Sequence, residues 1–249
     1  MDSLIKAICI VFITALIPAT AFGEPPGRPL ETFASAKKIA RDVIYAGHNT
    51  DFYCGCKFIN GKSKSGGTID ASECGYTPRK SKTRGKRLEW EHVVPAYYFG
   101  AKRACWKKGN AGCVKSDGTP FKGRECCARV DKEFQKIEAD LHNLTPAVGE
   151  LNADRSNLPY GMVKGEPREY GRCDFEIGGS PKLTEPRPEV RGDAARTWFY
   201  MADTYGVTLS DAQRTMFEEW SQADPPDSWE KLRNARIKAA QGNSNDYVE

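Results

Sequence analysis

The sequence predicts an exported domain of the α+β class in which helices prevail and disulfides hold shorter apolar pieces together. Three observations predict it: helical apolar spacing near both ends of the chain, short Gly- and Cys-rich apolar segments between them, and an even set of cysteines after a leader-like start. The 249 residues are enough for one substantial domain. Neither an internal repeat nor a domain boundary is evident, so residues 24–249 are expected to form one domain.

The first 23 residues have the layout of a secretory signal peptide. A lysine precedes an apolar run over residues 8–17, and the small residues Ala19, Thr20 and Ala21 follow. The run is shorter than the ~18 apolar residues that a membrane-spanning helix needs, and no later segment approaches that length. We therefore expect a signal peptide at 1–23 and a mature protein that is periplasmic or secreted, without a membrane span.

Nine cysteines are present, and Cys9 falls in the predicted signal peptide. An even set of eight in an exported chain predicts up to four disulfides, whose connectivity the spacing does not give. Zinc is the alternative, but the gap in Cys54-Gly-Cys56 and the adjacent Cys126-Cys127 are not the usual spacing of zinc ligands. The cysteines expected to pair are Cys54, Cys56, Cys74, Cys105, Cys113, Cys126, Cys127 and Cys173.

The first part of the mature chain is predicted to be a helix followed by short strands. Residues 31–47 have helical apolar spacing, and the residues expected to face inward are Phe33, Ala36, Ile39, Ala40 and Val43. Residues 51–62, 67–76 and 87–96 are short apolar segments bounded by glycines, which indicates strands or loops. Residues 107–125 have no periodicity and indicate a long cross-linked loop.

The second part is predicted to be helical. Residues 133–144 place Phe134, Ile137, Leu141 and Leu144 on one helical face. Thr145 and Pro146 predict the N-cap and first residue of a further helix, which would carry Asn152 a little over one turn in. Three more helices are predicted at residues 193–206, 210–224 and 227–242, the last closed by a glycine.

A basic run precedes the segment LEWEHVVPA at residues 88–96. Lys and Arg number 37 against 33 acids, so the net charge of +4 says little by itself. Residues 79–87, however, carry six cations in nine positions, a grouping that favours binding along a polyanion. The candidate phosphate-binding residues of this run are Arg84, Lys86 and Arg87.

His92 is the best candidate for a catalytic residue among the few histidines of the chain, and the acid Glu91 directly precedes it. If the substrate is a phosphodiester, one histidine can take a proton from the attacking water and one hard divalent cation can stabilise the transition state. Such a cation prefers oxygen ligands, which Glu91 and Asn152 supply. The alternative is a strand end with a salt-bridged histidine, and in a regular strand Glu91 and His92 point to opposite faces. Glu89 is expected to pair with nearby cations rather than to bind metal.

Together, the segments EWEHVVPA, DLHNLTPAVGELNADRSN, YGRC and AARTWFYMADTYG resemble the endonuclease I family of bacterial exported nucleases. The resemblance covers nearly the whole mature chain. It implies a ββα-metal (His-Me finger) core with one Mg²⁺, at a site that Mn²⁺ or Ca²⁺ can also occupy. His92 would be the general base, with Glu91 and Asn152 as metal ligands. Glu138 would support these groups from the adjoining helix. His142 is also expected behind them, with a structural histidine that bonds to the backbone as the alternative. The implied substrates are DNA and RNA, cleaved without strong sequence preference to leave 5′-phosphates, and a monomer is expected.

The chain departs from the family pattern at one residue that bears on catalysis. Ala111 falls where the family often carries an arginine that neutralises the phosphate, and either Arg124 or Arg129 is expected to replace it. The competing hypothesis is a disulfide-rich nucleic-acid-binding protein without catalysis, which would use the same basic run. A phosphodiesterase for small substrates is a third possibility, which the long basic run disfavours.

Overall fold

The computed structural model describes residues 32–61 and 66–249. The predicted signal peptide lies outside the described residues. Within them, every helix is too short or too polar to cross a bilayer.

The first helix changes its winding halfway along. Helix α1, Phe33–Ile39, is capped by the Thr32 side chain and continues as a π-helical segment, Ala40–Ile44. The wider turn shifts the inward face by one residue, because a π-helix has more residues per turn than an α-helix. Ile44 is therefore buried and Val43 is 47% exposed, which corrects the prediction that Val43 faces inward.

Three separate two-stranded antiparallel sheets follow in chain order. Strands β1, Lys57–Asn60, and β2, Gly67–Asp70, form the first. Strands β3, Leu88–His92, and β4, Leu144–Val148, form the second, in which Glu91 lies opposite Thr145. Strands β5, Glu176–Gly178, and β6, Leu183–Glu185, form the third.

Between β3 and β4 the chain forms short helices around an irregular loop. Helix α2, Lys82–Gly85, precedes β3, and the others are α3, Ala96–Gly100, α4, Ala104–Lys107, α5, Arg124–Val130, and α6, Lys132–Glu138. Residues 108–123 contain only turns and one isolated bridge, as predicted for a cross-linked loop.

The prediction that a helix begins at Pro146 is wrong. Residues 144–148 are β4, and helix α7 begins only at Gly149 and runs over Gly149–Arg155. Five cross-strand pairs with β3 and the burial of every β4 residue outweigh the local helix-start signal. The preceding predicted helix also ends early, at Glu138, and a 3-10 turn over Leu141–Asn143 leads into β4.

All eight predicted cysteines form disulfides. The pairs are Cys54–Cys173, Cys56–Cys74, Cys105–Cys127 and Cys113–Cys126. Asp51, Cys54 and Cys56 are the one group of three metal-ligand side chains that lie close together in the described residues. Because both cysteines are disulfide-bonded, this group is not a zinc site.

The three C-terminal helices agree with the prediction. After a 3-10 turn at Pro188–Val190 come α8, Arg191–Tyr205, α9, Asp211–Ala223, and α10, Ser228–Gln241, and a last 3-10 turn covers Asp246–Val248. Gly206 and Gly242 end α8 and α10 in the left-handed conformation that favours glycine. The rings of Trp198 and Phe217 stack between α8 and α9 with their centroids 5.5 Å apart.

Candidate active site

A cleft of about 600 Å³ brings the three residues of the predicted site together. Glu91, His92 and Asn152 all line it. The chain order explains this, because α7 follows β4 without a loop and β4 pairs with β3. Asn152, in the first turn of α7, therefore lies beside the strand that carries Glu91 and His92.

The cleft runs along β3. All five residues of the strand line it, so it follows the edge of β3 that faces away from β4. Side chains from both faces of a strand reach such an edge. Glu91 and His92 therefore share the cleft although β3 remains regularly paired as far as His92.

His92 is buried and oriented by a backbone carbonyl. Its Nε2 lies 2.8 Å from the oxygen of Glu138, and since a carbonyl only accepts, Nε2 carries the proton and Nδ1 keeps its lone pair. The Phe33 ring packs against the imidazole with centroids 4.8 Å apart. Burial lowers the pKa of His92 to about 3, and the cation of Arg124 adds to this effect. The imidazole is thus neutral at physiological pH.

The carboxylate of Glu91 is held through one of its two oxygens. Oε1 accepts hydrogen bonds from the Tyr53 hydroxyl at 3.1 Å and from Nη1 of Arg155 at 2.7 Å. Oε2 has no hydrogen-bond partner in the described part of the chain. Burial raises the pKa of Glu91, while Arg155 and Tyr53 oppose this by stabilising the charged form.

Arg155 is a site residue that sequence reasoning missed. Its guanidinium is fully buried and also donates to the carbonyl oxygens of His92, at 2.7 Å, and Val93, at 2.6 Å. It therefore fixes both the Glu91 carboxylate and the backbone that carries His92. The only signal in the sequence is its position three residues after Asn152 on the same helix, which places it near that residue's face.

Asn143 fixes the end of β3 in a similar way. Its Oδ1 accepts from the amide of Val94 at 2.7 Å, and its Nδ2 donates to the Val94 carbonyl at 3.0 Å. This buried pair of bonds fixes the backbone two residues beyond His92. The sequence suggested only a helix junction here.

Asn152 presents its amide oxygen because Glu89 holds the amide nitrogen. Nδ2 donates to Oε2 of Glu89 at 3.1 Å, and a carboxylate can only accept, so the NH₂ group must face Glu89. Oδ1 of Asn152 has no partner in the described residues. Glu89 also accepts from Arg84 at 2.7 Å and Arg87 at 2.9 Å, in agreement with its expected role as a partner of nearby cations.

The basic run reaches the cleft because α7 anchors it. The Glu150 carboxylate accepts from the backbone amides of residues 79, 80 and 81, at 2.5 to 3.0 Å. Arg84 and Arg87 then line the cleft, whereas Lys86 is exposed outside it.

Of the two arginines proposed to replace the missing family arginine, Arg124 lies in the cleft. Its Nη2 is 3.4 Å from Nδ1 of His92, and its Nε donates to the Glu138 carboxylate at 2.6 Å. Arg129 does not line the cleft, and donates instead to the carbonyl of Val114 at 2.9 Å. Ala111 does not line the cleft either.

The two residues expected behind the reacting groups are placed differently. Glu138 touches both His92, through its carbonyl, and Arg124, through its carboxylate. His142 is buried outside the cleft, where its Nε2 lies 3.0 Å from the oxygen of Asn243 and its ring packs on Tyr200.

The free donor atoms suit a hard divalent cation. Oε2 of Glu91 and Oδ1 of Asn152 are both oxygens, one charged and one neutral, and both residues face the cleft. Mg²⁺ needs only one or two such protein ligands because it keeps several waters. The residues present therefore fit a magnesium ion, and Arg155 does not compete for it because it bonds to the other oxygen of Glu91.

Comparison with known proteins places this geometry in context. The family model described as Endonuclease I matches residues 32–249. A relative described as Endonuclease-1, from Buchnera aphidicola subsp. Acyrthosiphon pisum (strain APS), is 43% identical over 221 residues, covering 89% of this chain and 82% of the relative. An extracellular deoxyribonuclease from Aeromonas hydrophila is 41% identical over 88% of this chain and 89% of its own length. A periplasmic deoxyribonuclease from the same species is 40% identical over 88% of this chain and 86% of its own length.

Proposed function

The chain belongs to the endonuclease I family, and from that premise we propose that it is an exported, magnesium-dependent endonuclease that cleaves DNA and RNA without sequence specificity. The observation that carries the proposal is the assembly of Glu91, His92 and Asn152 on one cleft, with Arg124 beside the histidine. Membership in a nuclease family also disfavours the alternative of a binding protein without catalysis.

Substrate and location rest on the relatives together with the cleft. Two relatives are described as deoxyribonucleases, one extracellular and one periplasmic. Among the described residues, four cations, Lys37, Arg84, Arg87 and Arg124, line the cleft against two acids, Glu89 and Glu91. Such side chains contact phosphates, which carry no sequence information. The same contacts are available to RNA.

Strands β3 and β4 with helix α7 are the two strands and helix of the proposed ββα-metal core. Glu91 and Asn152 would hold the ion, because they present its preferred oxygen donors. When bound, Mg²⁺ supplies positive charge that stabilises the phosphorane-like transition state and the departing oxygen. Arg155 and Tyr53 hold the Glu91 carboxylate in place, and Glu89 holds the Asn152 amide.

His92 acts as the general base in this proposal. Its Nδ1 takes a proton from the attacking water, while the Glu138 carbonyl holds the proton on Nε2 and so fixes the tautomer. Arg124 neutralises the charge of the phosphate, and Arg84 and Arg87 bind the flanking backbone. Lys86 and Arg129, which do not line the cleft, stay predictions for contacts with more distant phosphates. The cleaved bond leaves the phosphate on the 5′ end of the downstream product.

Plasmid nicking by the oxidised mature protein tests the proposal. We expect cleavage in Mg²⁺, none in EDTA, and loss with Asn152→Ala, and we expect the products to be ligatable because ligation requires 5′-phosphates. Asn157→Ala, at the rim of the same cleft, is the matched amide control and should cleave normally. Cleavage that persists in EDTA, or with Asn152→Ala at wild-type magnesium dependence, would reject the metal site.

A further inference from the structure

The cleft has an aromatic part that phosphate binding does not explain. Tyr97, the second residue of α3, and Trp106, in α4, line the cleft with His92. Tyr97 is 48% exposed. Among the aromatic residues that the structure describes, Tyr247 is the other large exposed ring, and its hydroxyl bonds to Asp203. The Tyr97 hydroxyl has no hydrogen-bond partner in the described residues.

The exposed ring is held in a fixed position. Tyr97 meets Trp106 edge to face, with centroids 6.3 Å apart and planes at 76°, and meets Tyr98 at 5.9 Å and 89°. Trp106 itself packs on the backbone of Gly100, where an added Cβ would lie 2.5 Å from the indole, and on the ring of Phe134 at 6.1 Å. An exposed aromatic ring braced by its neighbours is preorganised for stacking, because little conformational freedom is lost on binding.

We propose that Tyr97, braced by Trp106, is a stacking subsite for an unpaired nucleobase of the bound strand, so that the preferred substrate is single-stranded nucleic acid. This inference rests on the proposed nuclease function. Two features of the cleft select this occupant. The arginines of the cleft provide the charge that the phosphates of one strand require, and the Tyr97 face provides the apolar surface that a base requires. In a duplex the bases are stacked on one another and cannot use that surface.

The subsite is not specific for one base. Every base has a π-face, so stacking tolerates all sequences, in agreement with a cleft that binds phosphates. A duplex would have to open locally to occupy the subsite, which predicts slower cleavage of fully paired DNA than of a single strand of the same sequence.

A cycle of enzyme and substrate changes tests the proposal. A single-stranded oligonucleotide with one preferred cleavage position is compared with a series that carries one abasic residue at each neighbouring position. We expect Tyr97→Ala to lower kcat/KM on the intact strand by roughly five- to a hundredfold, the range that loss of one stacked base gives. At one abasic position the kcat/KM of the wild type should fall by the same factor. At that position the kcat/KM of Tyr97→Ala should fall little further.

Three further variants separate stacking from folding. Tyr97→Phe keeps the ring and should retain wild-type kinetics, whereas Tyr97→Leu keeps an apolar side chain without a ring and should behave as Tyr97→Ala. Tyr247→Ala, which removes the exposed ring far along the chain, should leave the ratio of single-strand to duplex cleavage unchanged. Because Tyr97 is half exposed, we expect its variants to keep the wild-type Tm within a few degrees.

The outcomes are distinct. If the losses of kcat/KM from Tyr97→Ala and from the abasic residue add when both changes are combined, the stacking subsite is rejected. Equal losses in Tyr97→Ala on single strand and duplex would reject it too. The nuclease function would stand in both cases. Failure of the wild type to cleave any strand in Mg²⁺ would reject the proposed function itself.

Discussion

Two regions of this chain are stabilised in different ways. The disulfide region, residues 54–173, contains all four disulfides and every described residue that lines the cleft except Phe33 and Lys37. The helical region, residues 188–249, contains no cysteine and consists of α8, α9 and α10 with two short 3-10 turns. Trp198, Phe217 and Trp220 pack together there, and they belong to the same hydrophobic core as Leu88 and Val148 of the disulfide region.

The difference teaches why the site lies where it does. Strands of four or five residues in two-stranded sheets are only marginally stable on their own. Covalent links supply what short elements cannot, and they allow the chain to bring Glu91, Arg124 and Asn152 together from distant positions. The three long helices have no such links, and α8 is buried without a break over residues 194–201.

The largest expected effect comes from reducing the disulfides. Each native disulfide stabilises a small domain by about 2–5 kcal/mol, and whole domains are stable by only about 5–15 kcal/mol. We expect full reduction to abolish cleavage and to remove amide protection in the disulfide region, while α8 to α10 keep measurable protection. Hydrogen exchange read by mass spectrometry, with nicking assays on the same samples, measures both. Equal loss of protection in both regions would show that they form one cooperative unit.

The two buried histidines, His92 in the cleft and His142 outside it, allow a second comparison. We expect His92→Ala to lower kcat by about 10²- to 10⁴-fold, the usual contribution of a general base. His142→Ala removes the contact with Asn243 and the packing on Tyr200, so it should lower Tm and leave kcat within a few-fold. Steady-state kinetics below the Tm of each variant measure the difference. A kcat loss in His142→Ala as large as in His92→Ala would place His142 in the catalytic machinery after all.

Each region also contains one fully buried arginine that pairs with a glutamate, Arg155 with Glu91 and Arg196 with Glu230. Removing one partner of a buried pair costs about 3–5 kcal/mol, because the other charge is left uncompensated. We expect Arg155→Met and Arg196→Met to destabilise the protein by similar amounts in urea unfolding. Only Arg155→Met should raise the magnesium concentration for half-maximal cleavage, since only Arg155 holds a proposed ligand. An equal change in Arg196→Met would make the effect a general consequence of instability.

Local patterns in the sequence predicted the helices whose stability is local. The spacing of apolar residues and the glycine at 242 were sufficient to place α8 to α10. The pairing of β3 with β4 was not predictable, because Thr145 and Pro146 carry a helix-start signal that only the contact with a distant strand overrides. Disulfide connectivity was open for the same reason, since it depends on which distant segments meet.

The site was predictable to the extent that its residues carry distinctive chemistry. Glu91, His92 and Asn152 line the cleft as expected. Arg155 was missed because a buried arginine looks like any surface arginine in a sequence, and its function is visible only from its hydrogen bonds. Arg124 and Arg129 could not be separated either, because helix α5, on which both lie, was not predicted from the sequence.

Arg124 and Arg129 offer a matched pair of substitutions for the smallest of the expected effects. They lie five residues apart on α5, and at 100° per residue their side chains are about 140° apart around the helix axis, so only one can face the cleft.

We expect Arg124→Ala to lower kcat/KM about ten- to a hundredfold. This is less than a buried donor to the transition state contributes, because the Arg124 side chain is 42% exposed and its charge is screened. Arg129→Ala should change kcat/KM by less than about threefold, and its loss of the bond to Val114 should lower Tm slightly. Raising the salt concentration should weaken Arg124→Ala less steeply than the wild type, because fewer phosphate contacts release fewer counterions. Equal losses in the two variants would mean that Arg124 serves only its ion pair with Glu138, and that the charge opposite the phosphate comes from Arg84 or Arg87.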